Sequence, residues 1–211
     1  MATTSAIATL KDSQNSQAAQ ALGRAFFDDP LSEYILPDES KRLAPLTWFM
    51  GRGARYGQLY GEVYTTDQVE GAAVWLPPGK TDMTPIGMAR AGLLLAPLRM
   101  GVGAFGRFMS AMDHTEKVHK RDMSQDQWYL LILGVDPPRQ GQGLGGQLIG
   151  PVLARADADR LPCYLETSKE RNVSFYRKHG FEVVVDDHLP KGGPRFWTMR
   201  REPSSAGQVS T

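Results

Sequence analysis

Val135-Asp136-Pro137-Pro138-Arg139-Gln140-Gly141-Gln142-Gly143-Leu144-Gly145-Gly146 is the stretch whose reading decides the fold. Upstream, Trp128-Tyr129-Leu130-Leu131-Ile132-Leu133-Gly134-Val135 is an unbroken apolar and aromatic run, too short to span a membrane and right for a strand buried on both faces. Downstream, Leu144, Leu148, Ile149, Val152 and Leu153 recur at helical spacing, which predicts a helix to about Ala158. Pro137 and Pro138 cannot donate to a sheet ladder and so end the strand. Gly141, Gly143 and Gly145 then let the backbone approach a ligand with no Cβ in the way. Their N–H groups gather at a helix N-terminus, which carries unsatisfied donors and a partial charge of about +0.5. Strand, glycine turn and helix together read as a cradle for phosphate or pyrophosphate. Three alternating glycines weaken a helix start by ~0.5–1 kcal/mol each relative to alanine, a cost that an ordinary turn leaves unexplained.

Two phosphate motifs fit these residues. Gly141 to Gly146 is formally G-x-G-x-x-G, the dinucleotide fingerprint, with Glu166 at the distance of a ribose contact. Gln140 to Gly145 is equally Q-x-x-G-x-G. A dinucleotide domain needs further alternating strands and helices after its first turn, and only 65 residues follow Gly146. Those residues predict a strand Pro162 to Glu166, a short helix Arg171 to His179, a strand Phe181 to Val185 and a last strand near Arg195 to Met199.

Q-x-x-G-x-G followed by Tyr176-Arg177-Lys178-His179-Gly180-Phe181 resembles the two cofactor motifs of the GNAT superfamily of acyl-CoA N-acyltransferases, in that family's order and spacing. Tyr164-Leu165-Glu166-Thr167-Ser168, Arg171-Asn172, Phe175-Tyr176, Gly193-Pro194-Arg195-Phe196-Trp197-Thr198-Met199 and Ala25-Phe26-Phe27-Asp28-Asp29-Pro30 are further similar to its puromycin N-acetyltransferase branch. The resemblance implies an α/β fold with a mainly antiparallel sheet of about seven strands, flanked by helices and splayed at the central strand. It also implies acetyl-CoA as co-substrate, without a metal, and transfer to a primary amine of a small molecule by direct attack in a ternary complex. Cofactor contacts would come from Leu133 and Val135 with Gly134 as a bulge, from Gln140, Gly141, Gln142, Gly143, Leu144 and Gly145, and from Asn172 and Tyr176. Many members carry an asparagine seven residues before the tyrosine, where this chain has Lys169; Asn172 lies four before it. Tyr176 is the candidate general acid. Glu166 is the candidate base, with Glu33 and His114 as lesser options. Phe26, Glu33, Tyr34, Trp75 and Trp128 are candidates for the acceptor wall. A non-catalytic acyl-CoA sensor is the main alternative.

The remaining residues set bounds. A length of 211 residues suits one domain, taken as residues 1–201, with 202–211 expected to be a disordered tail. A net charge of +1 leaves no electrostatic footprint for nucleic acid or an anionic membrane. The single Cys163 excludes an internal disulfide and reads as core filler, and no signal-like segment opens the chain, so a cytoplasmic monomer or homodimer is expected. Ala6 to Leu10 suggests a first strand, Ser16 to Asp28 a helix, Glu39 to Tyr60 a second helix, and Gly61 to Thr65 with Gly71 to Leu76 paired strands. Pro85 to Ala96 and Leu98 to Met112 predict two apolar helices divided at Pro97. Their methionines suit core packing, an apolar acceptor site or a dimer contact. His114 and His119 read as part of a solvated connection, too poor in partners to hold a metal.

Overall fold

Seven strands form one mixed sheet in the order β1-β2-β3-β4-β5-β7-β6. They are β1 (Ile7–Thr9), β2 (Glu62–Thr66), β3 (Gly71–Leu76), β4 (Trp128–Val135), β5 (Cys163–Thr167), β6 (Glu182–His188) and β7 (Arg195–Arg201). The computed structural model describes residues 6–123 and 126–204, so part of the expected tail, 205–211, lies outside the described residues. All neighbouring strands run antiparallel except β4 and β5, which are parallel.

The sheet is covered on both faces. On one lies α7 (Leu144–Asp159), whose Leu148, Ile149 and Val152 pack with Trp75, Trp128, Leu165 and Met199. On the other lie α1 (Asn15–Ala25) and α3 (Glu39–Tyr60), where Leu22, Leu46, Met50 and Ala54 meet Val74 and Ile132. The apolar spacing read along each helix is therefore the stripe that covers the sheet.

The central strand changes sides once. Trp128 and Leu130 pack beneath α7, as strand alternation demands, but Ile132 packs beneath α1 and α3. The pairing with β3 slips at the same place: Val74 faces Ile132 and Trp75 faces Leu130, so Leu131 is the extra residue. The bulge is thus at Leu131 and not at Gly134, which pairs regularly with Ala72. Gly134 is small for another reason. A Cβ there would come within 2.8 Å of Leu22 and 3.1 Å of Ala25 and Phe26, so the glycine lets α1 lie against the strand.

The segment between β3 and β4 also differs from expectation. Its helices are α4 (Pro85–Ala91), α5 (Ala96–Met100) and α6 (Val102–Asp122), broken at Gly92 and Gly101, both at positive φ. Pro97 sits in the first turn of α5, where its missing N–H costs nothing. The histidine-bearing stretch is not a solvated connection but the C-terminal half of α6. Met83 and Met88 pack by Tyr56 and Leu76, Met100 by the α3 side of the core, and Met112 by Phe196; Met109 is exposed. Two further short helices are α2 (Pro30–Ile35) and α8 (Glu170–Arg177).

Candidate active site

β4 and β5 pair only at Trp128, Tyr129 and Leu130 against Cys163, Tyr164 and Leu165. Past Leu130 the strands diverge, so the C-terminal half of β4 presents a free backbone edge. Asp136 N–H donates to Glu70 O at 2.7 Å on the β3 side. Ladder alternation therefore turns the N–H groups of Leu133 and Val135 towards the opening. Gln140 Nε2 donates to Val135 O at 3.0 Å and ties the glycine turn to this edge.

The turn has the form of a cradle. Gly141 and Gly143 have φ of 76° and 81°, a conformation that costs other residues strain, and a Cβ on either would meet nothing within 4 Å. The open space lies directly before the start of α7, and no side chain caps that end. Unsatisfied N–H groups and the helix dipole face the same volume, which fits a pyrophosphate. Gln142 Nε2 turns back to Pro138 O at 3.3 Å, and Arg171 reaches Gln140 Oε1 at 3.4 Å, so both glutamines brace the loop.

The loop between α1 and α2 spans the opening. Arg24 grips Asp136 through two hydrogen bonds of 2.8 and 2.6 Å. Asp29 is buried; it caps α2 by accepting from Leu31 N–H at 3.0 Å and accepts the Ser168 hydroxyl at 2.6 Å. Lys169 adds a 2.6 Å contact to Asp28, and buried Arg42 fixes Phe27 O and Leu36 O from below. Tyr34 hydroxyl lies 3.4 Å from both Pro190 O and Lys191 O, so α2 also touches the β6–β7 connection. The cleft is roofed as well as walled.

Two titratable groups stand out. Tyr176 is buried in α8 against Phe175 and Phe181, and its hydroxyl ionises well above the tyrosine range, first because of burial and then because of the Asp29 charge. Glu166, 16% exposed on β5, is pushed up to about 7 by burial, partly offset by the Tyr129 hydroxyl that donates to Oε2 at 2.7 Å. A carboxylate that titrates near neutrality is poised to take a proton. His119 of α6 lies against the same group, its Nδ1 3.9 Å from Oε1 and its ring stacked on Tyr164 at 4.5 Å.

Several expected residues converge on the cleft. Leu133, Val135, the glycine turn, Phe26 (beside Gly134) and Tyr34 border it. Asn172 braces it by donating to Thr167 Oγ1 at 3.1 Å. Glu33 is half exposed and lies 3.5 Å from Arg42. Trp75 and Trp128 do not form an acceptor wall: both are buried beneath α7, where their large apolar rings complete the core, and Arg155 lies over Trp128. His114 packs edge-on to Phe196, away from Glu166. Sequence reading missed Tyr129, His119, Gln127, Asp29 and Ser168; only Asp29 carried a local signal, an acidic cap before Pro30.

A splayed sheet edge beside a glycine-cradled helix start suits a ligand that joins an extended amide-bearing arm to a pyrophosphate. The antiparallel pairing of β3 with β4 and of β5 with β7 excludes the parallel dinucleotide fold. Residues 104–183 match the acetyltransferase (GNAT) domain family. An uncharacterized N-acetyltransferase of Schizosaccharomyces pombe is 29% identical over 201 residues, covering 92% of this chain and 81% of that protein. Among solved structures, a histone acetyltransferase HPA2 and related acetyltransferase from Corynebacterium glutamicum has a TM-score of 0.61 at 17% identity, over 96% of this chain and 98% of that one. Arylalkylamine N-acetyltransferase 2 from Aedes aegypti has a TM-score of 0.60 at 12% identity, over 96% and 100%. The chain is thus similar to GNAT acetyltransferases, in sequence over residues 104–183 and in fold over nearly its whole length.

Proposed function

We propose that the protein acetylates a primary amine of a small molecule by direct attack within a ternary complex. The observation that carries this reading is the roofed cleft. The contacts of Asp29 with Ser168 and of Tyr34 with the β6–β7 connection close the groove that an extended peptide would need. The Aedes aegypti relative, named for arylalkylamines, is consistent with an amine of that size.

Acetyl-CoA supplies the activated thioester when bound. The α7 N-terminus and the glycine turn would hold its pyrophosphate, and the Leu133 and Val135 N–H groups would bind along the extended arm and polarise the acyl carbonyl. Glu166 takes the proton that the incoming ammonium must lose before it can attack. Tyr176 stays protonated through neutral pH and donates a hydrogen bond to the leaving sulfur. Full transfer from a phenol held above ~10 to a thiolate of ordinary thiol acidity, ~8.5, is uphill, so the phenol gives up its proton as the bond to sulfur breaks only while it regains one from the nitrogen that becomes the amide.

The test is thiol release from acetyl-CoA over a panel of arylalkylamines, polyamines, puromycin and a basic peptide. Turnover with a small amine and none with the peptide is expected. Acetyl-CoA binding without amine-dependent thiol release from any of them would favour a sensor and overturn the proposal.

A further inference from the structure

An ammonium that becomes an amide loses two protons, one to the departing thiolate and one that must leave the site. A single carboxylate holds one proton at a time. Glu166 takes the one that must leave the site and is largely enclosed, with Tyr129 on one oxygen, so that proton needs a further station before the next turnover.

The geometry points to His119 as the residue that clears Glu166: the carboxyl proton passes from Glu166 Oε1 to His119 Nδ1, while Gln127 holds the far side of the ring. This rests on the assignment of Glu166 as the base. His119 Nε2 lies against the Gln127 carboxamide nitrogen, and the Gln127 carboxamide oxygen is buried without a partner among the described residues. Turning that amide over, an exchange of O and N that leaves the shape unchanged, lets Nε2–H donate to the orphaned oxygen and leaves the Nδ1 lone pair facing Glu166. The 3.9 Å gap closes to hydrogen-bond distance with a small rotation of either side chain.

In the balanced step, R–NH3+ and the Glu166 carboxylate give R–NH2 and the carboxylic acid. The acid and neutral His119 then give the carboxylate and an imidazolium, which returns its proton to water between turnovers. Each element around the ring contributes charge: Asp82 before α4, Glu116 and Asp122 of α6 and Glu166 of β5 favour the imidazolium. Lys120 opposes it, and the Tyr129 and Tyr164 rings enclose it. Burial lowers the affinity of His119 for a proton and raises that of Glu166, so the transfer to the imidazole is uphill and is drawn forward by the onward loss of the proton to water.

The experiment compares His119→Asn, Gln127→Met and Glu166→Gln with the unaltered enzyme over acceptors whose conjugate acids range from strongly to weakly basic. Thermal melting and acetyl-CoA binding are measured on each. For His119→Asn, kcat should fall by ~100-fold with the most basic amine and by progressively less as the amine arrives already neutral, with Gln127→Met following the same slope at smaller amplitude. Equal losses across the series, or none with the basic amines, would overturn the relay. If Glu166→Gln alone shows the slope, only the relay falls; if Glu166→Gln retains turnover with basic amines, the base assignment falls with it. Should His119→Asn not fold, Gln127→Met decides.

Discussion

Replacing Gly143 with alanine separates the backbone role of the glycine turn from its binding role. Gly143 has φ of 81° and a Cβ built on it would meet no atom within 4 Å, so the substitution brings conformational strain and no collision. The left-handed conformation costs an alanine ~1–2 kcal/mol, which for a chain of this size lowers Tm by roughly 2–8 °C. The added methyl occupies the space in which the pyrophosphate would lie and turns an open N–H cradle into a blocked one. Loss of two charge-assisted hydrogen bonds, at ~1.5 kcal/mol each, weakens acetyl-CoA binding by about 100-fold. At a concentration 100 times the original Kd, ligand stabilises the parent by about 2.7 kcal/mol and the variant by about 0.4 kcal/mol. The assay is thermal unfolding with and without acetyl-CoA. A small shift of the free protein with nearly complete loss of the ligand-induced shift is expected. Full retention of that shift would refute the cradle, because the empty volume before α7 would then not be where the ligand sits.

Tyr176→Phe should lower kcat by ~10- to 100-fold while the acetyl-CoA Kd stays within a few-fold, as read by turnover and titration, because the hydroxyl acts on the leaving sulfur alone. Tyr129→Phe removes the hydrogen bond that holds the Glu166 carboxylate down, so the acid limb of kcat/KM, near pH 7 in the parent, should move to higher pH. Glu166→Gln should raise Tm at pH 8. A carboxyl whose folded value is about 7 against an ordinary 4.5 binds more protons folded than unfolded, so its ionisation costs stability progressively as pH rises between those values. At ~1.4 kcal/mol per unit the cost reaches about 3 kcal/mol above pH 7, and the advantage of the glutamine should vanish below about pH 4.5.

The half of the site that binds through its main chain was legible because backbone requirements leave residue-level marks. Two prolines ending a buried run and glycines at alternating positions announce a strand, a turn that needs positive φ and an open helix start. The structure has β4, Gly141, Gly143 and α7 in that order. Gly134 shows where such reading overreaches. A glycine in a strand was taken to mean a bulge, but close approach of α1 is an equally sufficient cause. The true bulge at Leu131 carries no mark, because leucine tolerates it and the register slip is visible only from where Leu130 and Ile132 pack.

The side-chain half was hidden by the rule used to find helices. Apolar spacing ends near Met112, so the polar residues after it read as solvated chain. In the structure the inward positions of the last turns of α6 are Val118, His119 and Asp122, while Glu116, Lys117, Lys120 and Arg121 face out. The stripe continues with the periodicity intact, and its apolar character is lost only after Val118, at His119 and Asp122, where the surface it covers is a polar cleft rather than a core. A polar residue at a position where the period demands an apolar one is then the signal to search for. In β5 the same reasoning separates Cys163 and Leu165, which pack beneath α7, from Tyr164 and Glu166, which alternate to the face that His119 covers. The base and its neighbours were thus encoded as violations of two hydrophobic patterns, one of period 3.6 and one of period 2, meeting at a single point.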